Sequence, residues 1–195
     1  MTERIGVFGG TFDPIHIGHL VAAVNVRHSL SLDRLLLVVA NVPWQKEGSR
    51  AITAAEDRFA MVAAAVVGVP GLEASRLELD RGGPSYTADT LAAVAASSPR
   101  AAMFTVVGAD VADSLETWER ASEVARLSTL VVVNRPGATR TAALPGWRVV
   151  EIEIPNIEVS STDLRSRARD GRPLDYLVPD RVVQVIRSRG LYAGG

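Results

Sequence analysis

The chain has 195 residues, of which 47% are hydrophobic and 22% charged, and its formal net charge at pH 7 is -1. Such values are ordinary for a globular protein that buries a core, and the near-neutral charge gives no reason to expect binding to nucleic acid or to a membrane. The sequence has no cysteine, which excludes disulfides and thiolate metal sites. It also lacks a signal-peptide pattern and an apolar run that could span a bilayer, so we expect a cytoplasmic protein.

Short apolar runs alternate with amphipathic stretches along the chain. The predicted strands, rich in Val, Ile and Leu, are residues 4–8, 34–40, 72–79, 103–107, 129–133 and 148–154. Apolar residues at helical spacing predict helices over residues 19–30, 54–67, 87–96, 111–127 and 179–188. This alternation indicates an α/β fold with a mostly parallel sheet and helices on both faces. We expect residues 1–195 to form a single domain.

The stretch GGTFDPIHIGH, residues 9–19, follows the first predicted strand, where parallel sheets bind ligands. Gly9 and Gly10 allow a sharp turn and a close approach to a ligand. His16 and His19 come at the start of the next helix, whose N–H groups and dipole favour phosphate, and either imidazole could donate a hydrogen bond or carry positive charge there. A metal site and a dinucleotide-binding turn are weaker alternatives, because no Cys or carboxylate cluster is nearby and the spacing is not G-x-G-x-x-G.

A second candidate phosphate site is the stretch SSTDLR at residues 160–165. It indicates a capped helix start with Ser161 and Thr162 at the first positions and Arg165 projecting from the first turn. Taken alone, this pattern is more typical of a plain helix cap. It gains weight because it occurs together with the first motif.

Together these motifs resemble the two signatures of the nucleotidylyltransferase superfamily with the H-x-G-H motif. Further stretches, in the same order, make the chain similar to the bacterial nicotinate-mononucleotide adenylyltransferases: SYTADTL at 85–91, GAD at 108–110 with Trp118 after it, RPG at 135–137, YLVP at 176–179 and GLY at 190–192. The resemblance spans nearly the whole chain. It implies a Rossmann-like three-layer α/β domain with a central, mostly parallel sheet and a small helical C-terminal segment.

The resemblance also implies a reaction. The AMP unit of ATP is transferred to nicotinate mononucleotide by direct in-line attack, which gives nicotinate adenine dinucleotide (deamido-NAD) and pyrophosphate in NAD biosynthesis. Another phosphorylated acceptor, such as nicotinamide mononucleotide or phosphopantetheine, is the nearer alternative, and a non-catalytic nucleotide-binding module is the farther one. Pantetheine-phosphate adenylyltransferases carry Thr in place of His16 and lack the SYTADTL stretch.

Two groups of site residues follow from the resemblance. The expected ATP-binding residues are Gly9, Gly10, Thr11, Phe12, His16, His19, Gly108, Asp110, Ser161, Thr162 and Arg165. The expected mononucleotide-binding residues are Asn41, Lys46, Tyr86, Thr87, Trp118 and Arg135. In the second group the backbone N–H groups of Tyr86 and Thr87 hold the nicotinate carboxylate, and Trp118 stacks on the pyridine ring. The expected catalytic residues, which stabilise developing charge, are His16, His19, Lys46 and Arg165.

A Mg²⁺ ion is expected to arrive with ATP, because the sequence offers no carboxylate cage and therefore no metal ligands from protein side chains. Lys46 is the one lysine among 21 lysine and arginine residues, which supports a specific role for it. Its neighbour Trp44 stands where the family usually has proline, and we expect its side chain to pack into the empty mononucleotide pocket. The sequence leaves open whether the chain forms a homo-oligomer.

Overall fold

The computed structural model describes residues 2–43, 52–112, 114–134 and 144–193. The strands in these ranges are β1 Arg4–Gly10, β2 Arg34–Val39, β3 Leu72–Ser75, β4 Ala102–Gly108, β5 Ser128–Asn134 and β6 Val149–Glu153. They form one six-stranded sheet in the order β3-β2-β1-β4-β5-β6, and every neighbouring pair is parallel. The predicted parallel sheet is confirmed.

Helices cover both faces of the sheet. They are α1 Ile17–Ser29, α2 Ala55–Val66, α3 Leu77–Arg81, α4 Thr87–Ser97, α5 Ala109–Ala112, α6 Ala121–Leu127, α7 Ser161–Arg169 and α8 Asp180–Ser188. Strand β2 shows why two helical layers form, because its side chains alternate between the faces. Leu35 and Leu37 pack in the core with α1, α2 and α8, whereas Leu36 and Val38 pack with α4 and α6. The three-layer prediction is thus confirmed.

Two predicted elements are wrong in their extent. The strand predicted over 72–79 ends at Ser75, whose Oγ accepts a hydrogen bond from the Leu77 backbone N–H at 3.4 Å and so helps to start α3. The helix predicted over 111–127 is broken into α5, a 3₁₀ turn and α6. Within the break the hydroxyl groups of Ser114 and Thr117 donate to backbone carbonyls, and Arg120 has a left-handed φ of 55°.

The order of the strands reverses between β1 and β4, because the chain runs outward from β1 to β3 and then returns to the other side of β1. Ligands of such sheets bind in the crevice outside the carboxyl ends of the two strands at this point. Here those ends are Gly10 and Gly108. No helix in the described part of the chain is long and apolar enough to cross a membrane.

Candidate active site

A cleft of about 550 Å³ opens at this reversal point. Its walls come from the ends of β1, β2 and β4 and from the start of α4, and its size suits a nucleotide-like ligand. Seven of the residues expected from the sequence line it: Gly9, Gly10, Thr11, Tyr86, Thr87, Gly108 and Trp118. Asp110 follows β4 directly, in α5. The structure therefore brings residues from the predicted ATP and mononucleotide groups to one cavity.

Gly9 and Gly10, which the sequence placed in a turn, are the last two residues of β1 and pair with β2, so the turn begins after Gly10. Of the two positions, only Gly10 has to be glycine for steric reasons. A Cβ on Gly10 would come within 2.7 Å of the Phe12 ring, whereas a Cβ on Gly9 would meet nothing within 4 Å among the described residues other than its chain neighbours. Phe12 has a φ of 48° and is 2% exposed, and its ring packs edge-on against His19 with centroids 5.1 Å apart. The Phe12 side chain therefore packs against His19 and supports it. Only the backbone of Phe12 is available to contact ATP.

The two histidines form a stacked pair at the start of α1. Their ring centroids are 3.7 Å apart with an interplanar angle of 29°. The backbone N–H of His16 donates a hydrogen bond to His19 Nδ1 at 3.2 Å. Because Nδ1 is the acceptor, the neutral ring of His19 carries its proton on Nε2 and is a donor there. The pair lies beside the cleft, since the His19 ring is 6.2 Å from that of Phe8, which lines the cavity.

His16 differs from its partner in burial. Its side chain is 7% exposed, and desolvation lowers its pKa to about 4. Its Nδ1 is buried without a hydrogen-bond partner in the described ranges. His16 is therefore a neutral imidazole at neutral pH, and not the cation that the sequence allowed. Without a ligand, burial thus favours the neutral ring, which can still form a hydrogen bond with a phosphate.

This burial predicts a specific pH dependence of stability. In the unfolded chain His16 has the ordinary pKa of 6.5, but in the folded chain it has a pKa of about 4. As the pH falls between these values the unfolded chain takes up a proton that the folded chain does not. The free energy of unfolding should therefore decrease in this range by up to about 3 kcal/mol.

Chemical denaturation from about pH 7.5 to about pH 4.5 measures this change. In His16→Asn this part of the pH dependence should be missing, whereas His28→Asn, which alters an exposed histidine on the same helix, should retain it. The same decline in wild type and His16→Asn would contradict the interpretation.

The second motif forms the start of α7 and lies against the first motif. Ser160 caps the helix, because its Oγ accepts a hydrogen bond from the Asp163 backbone N–H at 3.2 Å. Ser161 Oγ donates to the carbonyl oxygen of Pro14 at 2.9 Å, which joins residues 147 positions apart. Both phosphate-binding helix starts that the sequence predicted are therefore next to each other in space.

Arg165 adds hydrogen bonds to this contact between the start of α7 and the first motif, which we call the junction. Its Nη1 donates to the carbonyl oxygen of Asp13 at 2.7 Å and its Nη2 donates to Thr162 Oγ1 at 3.1 Å. The carboxylate of Asp13, a residue that is 1% exposed, accepts a hydrogen bond from the Tyr192 hydroxyl at 2.7 Å. Burial, and next the charge of Asp13, raise the pKa of Tyr192, so its hydroxyl stays protonated. The stretch around Tyr192 thus packs directly on the first motif.

Of the residues expected to hold the mononucleotide, Tyr86, Thr87 and Trp118 line the cleft. Tyr86 has extended backbone and Thr87 is the first residue of α4, so the N–H groups of this helix start belong to the cleft wall. Trp118 is half-buried and also lines the cleft, and its Nε1 has no partner in the part of the chain described. Asn41 lies nearby, but its Nδ2 donates to the carbonyl oxygen of Gly83 at 3.0 Å.

Three residues named in the sequence analysis lie outside the described residues. They are Trp44, Lys46 and Arg135. The side chain of Asp110 is likewise not described. The roles expected of these residues stay predictions.

Sequence reasoning missed three polar residues at or near the cleft. Thr90 Oγ1 donates to Glu78 Oε1 at 2.5 Å, and both residues are buried and line the cavity. Arg58 is 1% exposed. A signal for Arg58 was available, because it shares the helical spacing of the buried residues Met61, Val62 and Ala65 in α2 and is thus a charged residue on an apolar face.

The fold and the site together define a nucleotidylyltransferase. The profile of the Cytidylyltransferase-like family matches residues 7–167, which include the cleft and both motifs. A protein of Corynebacterium kroppenstedtii named "Probable nicotinate-nucleotide adenylyltransferase" is 47% identical over 192 residues, covering 97% of this chain and 90% of its own length. A protein of the same name from Streptomyces coelicolor is 47% identical over 187 residues, covering 95% of this chain and 99% of its own. The chain therefore belongs to the nicotinate-nucleotide adenylyltransferase family.

A solved structure supports the fold independently. The nicotinic acid mononucleotide adenylyltransferase of Plasmodium falciparum, complexed with NaAD, superposes with a TM-score of 0.80 over 97% of both chains. The two sequences are 16% identical, so the likeness concerns the fold alone.

Proposed function

We propose that the chain transfers the adenylyl group of ATP to nicotinate mononucleotide, which forms nicotinate adenine dinucleotide and pyrophosphate, a step of NAD biosynthesis. The observation that carries this proposal is the junction of the two helix starts. Ser161 and Arg165 bond to the Pro14 and Asp13 carbonyls, beside the histidine pair and next to a cleft of nucleotide size. Two helix N-termini with adjoining hydrogen-bond donors suit a triphosphate.

In the proposed mechanism a 5′-phosphate oxygen of the mononucleotide attacks the α-phosphorus of ATP in line. The bond from the α-phosphorus to the bridging oxygen breaks, and that oxygen leaves with pyrophosphate. No side chain acts as a nucleophile, because positioning and charge stabilisation supply the catalysis in transfers of this kind. His19 donates from Nε2 to a phosphate oxygen, neutral His16 adds a second contact, and Arg165 holds the two helix starts together at the triphosphate.

The acceptor is proposed to bind with its carboxylate at the start of α4. The backbone N–H groups there and the positive end of the helix dipole favour an anion over a neutral amide. Trp118, which lines the same cavity, offers an aromatic face for the pyridine ring. This arrangement gives a physical reason for preferring the nicotinate acid to nicotinamide.

A divalent cation is proposed to enter with ATP and to be held by the phosphates. Within the described ranges no group of three or more His, Asp or Glu side chains could hold a metal ion. A cation carried by ATP needs no cage of protein carboxylates, and Mg²⁺ is the natural partner of ATP. When bound, it neutralises charge on the β- and γ-phosphates.

We further propose that residues 1–195 form one domain and that the reaction takes place in the cytoplasm, where ATP is available. The shared sheet supports the first point, since every described strand belongs to it.

The deciding experiment offers ATP together with nicotinate mononucleotide, nicotinamide mononucleotide or phosphopantetheine in parallel and measures the release of pyrophosphate. We expect kcat/KM for the nicotinate acceptor to exceed that for either other acceptor by at least about tenfold. Faster turnover of phosphopantetheine would assign a different acceptor. Binding of ATP without any release of pyrophosphate would indicate a nucleotide-binding module.

The hydrogen bonds at the junction also predict which arginine of α7 is needed for efficient turnover. Arg165→Ala should lower kcat/KM by at least about tenfold, because the lost contacts are charge-assisted hydrogen bonds that hold the first motif. Arg167 bonds to Asp163 of its own helix at 2.6 Å, and Arg169 is exposed, so their alanine variants should stay within about twofold of wild type. Steady-state kinetics of the three variants test this. Equal losses in all three would indicate a general charge effect and contradict the assignment.

A further inference from the structure

A buried arginine beneath the cleft has no role in the mechanism described so far. Arg58 lies in the first turns of α2, and its side chain is 1% exposed. Burying a guanidinium group is unfavourable unless its donors are paired, so a buried arginine marks a place where its fixed fork of N–H groups is needed. The positions of the groups that accept its hydrogen bonds show which segments Arg58 connects.

The guanidinium group of Arg58 connects separate segments through their backbone carbonyls. Nη1 donates to the carbonyl oxygen of Thr11 at 2.9 Å and to that of Ala40 at 2.6 Å. Nη2 donates to the carbonyl oxygen of Asn41 at 3.0 Å, and Nε donates to that of Thr53 at 2.8 Å. One side chain thus joins the residue that follows β1, the two residues that follow β2 and the approach to α2.

The end of β2 is in turn bonded to the segment that begins the acceptor side. The Asn41 backbone N–H donates to Ser85 Oγ at 2.8 Å, and the Ser85 backbone N–H donates to the carbonyl oxygen of Val42 at 3.1 Å. Tyr86 and Thr87, at the start of α4, follow Ser85 directly. A continuous path of hydrogen bonds therefore runs from Thr11 through Arg58 and Asn41 to the start of α4.

We infer that Arg58 is a positioning residue that fixes the ATP half of the site relative to the acceptor half. This inference depends on the proposed function, because it concerns a reaction between two bound substrates. In such a reaction the rate depends on the alignment of the reacting atoms, and a displacement of about 1 Å can cost about 100-fold. Each half-site alone is built by its own strand and helix start. The loss of Arg58 should therefore affect turnover more than the binding of either substrate.

The test uses Arg58→Lys, which keeps the charge but replaces the planar fork with a single nitrogen that cannot span the same carbonyls. The matched control is Val62→Ala, one turn further along α2, where the residue is 0% exposed and its side chain belongs to the hydrophobic core. Calorimetric titration measures Kd for nicotinate mononucleotide alone and for a non-hydrolysable ATP analogue alone. Pyrophosphate release measures kcat, and thermal unfolding measures Tm.

We expect Arg58→Lys to lower kcat by at least about 30-fold while each Kd changes by less than about threefold. Val62→Ala should lower Tm and leave kcat within about twofold of wild type. A kcat in Arg58→Lys no lower than that in Val62→Ala would overturn the inference, as would an unchanged kcat with both Kd values raised. Wild-type enzyme without turnover would count against the proposed function and not against the role of Arg58.

If Arg58→Lys does not fold, Ser85→Ala tests the positioning role instead. Ser85→Ala removes the acceptor of the Asn41 backbone N–H and leaves the core of α2 intact. It should show the same pattern, with a reduced kcat and nearly unchanged Kd values. If both variants fold, the combined variant should lose less than the product of the two separate losses, because both act on one path. A combined loss equal to that product would overturn the inference.

Discussion

Replacing either His16 or His19 with alanine should lower kcat by at least about 100-fold while the protein stays folded. The two rings are stacked at the start of α1, with centroids 3.7 Å apart, so each fixes the orientation of the other. His19 presents its Nε2 proton as a donor because its Nδ1 accepts from the His16 backbone N–H. A donor placed in advance toward developing phosphate charge is worth about 3 kcal/mol, which corresponds to this loss of rate.

Steady-state turnover with circular dichroism as a check on folding measures the effect. The control is His28→Ala, which removes the third histidine from an exposed position near the other end of the same helix. Its kcat should match wild type. Near-normal turnover in both the His16 and the His19 variants would contradict their assignment to the triphosphate.

The second large effect is expected from Gly10→Ala. The new Cβ would lie within 2.7 Å of the Phe12 ring, and that ring is held between Phe8 and His19. Because the ring is buried and packed on both sides, the turn itself has to move. We expect a loss of about 2 kcal/mol of stability from this overpacking. We also expect kcat to fall by about 100-fold, because the displaced turn carries Thr11 and leads to the histidines.

Gly9→Ala is the matched variant for this test. Apart from its chain neighbours, its Cβ would meet no atom within 4 Å in the part of the chain that the structure describes, and Gly9 lines the cleft. Its stability should therefore equal that of wild type, while KM for ATP rises because the methyl group occupies space in the cavity. Denaturant unfolding and initial rates at varied ATP separate the two variants. Equal stability of Gly9→Ala and Gly10→Ala would show that the contact with Phe12 does not constrain the turn.

The sequence predicted the parts of the molecule that local patterns encode. Alternating apolar strands and amphipathic helices indicated the parallel sheet. The SSTDLR stretch indicated the helix start that Ser160 caps. Each of these features depends on residues close together in the chain, where the physical reasons for turns, caps and helices are local.

The features that the sequence could not predict depend on contacts between distant residues. The stretch that ends at Ser75 continues with apolar Leu77 and Leu79, so its strand pattern alone did not show where the backbone turns into α3. The burial that keeps His16 neutral depends on how segments pack around it. The four carbonyls that Arg58 binds belong to three segments, and no sequence pattern in α2 predicts which carbonyls they are.

The bond between Tyr192 and Asp13 has a consequence for the synthesis of the protein. These residues are 179 positions apart, and Arg165 and Asp13 are 152 positions apart. The first motif is therefore translated well before the groups that hold it in place. A nascent chain that has not yet reached Arg165 carries the histidines without the start of α7 that lies beside them. Contacts between residues so far apart in the chain form slowly, so the first motif is held in place only after both later segments have been made.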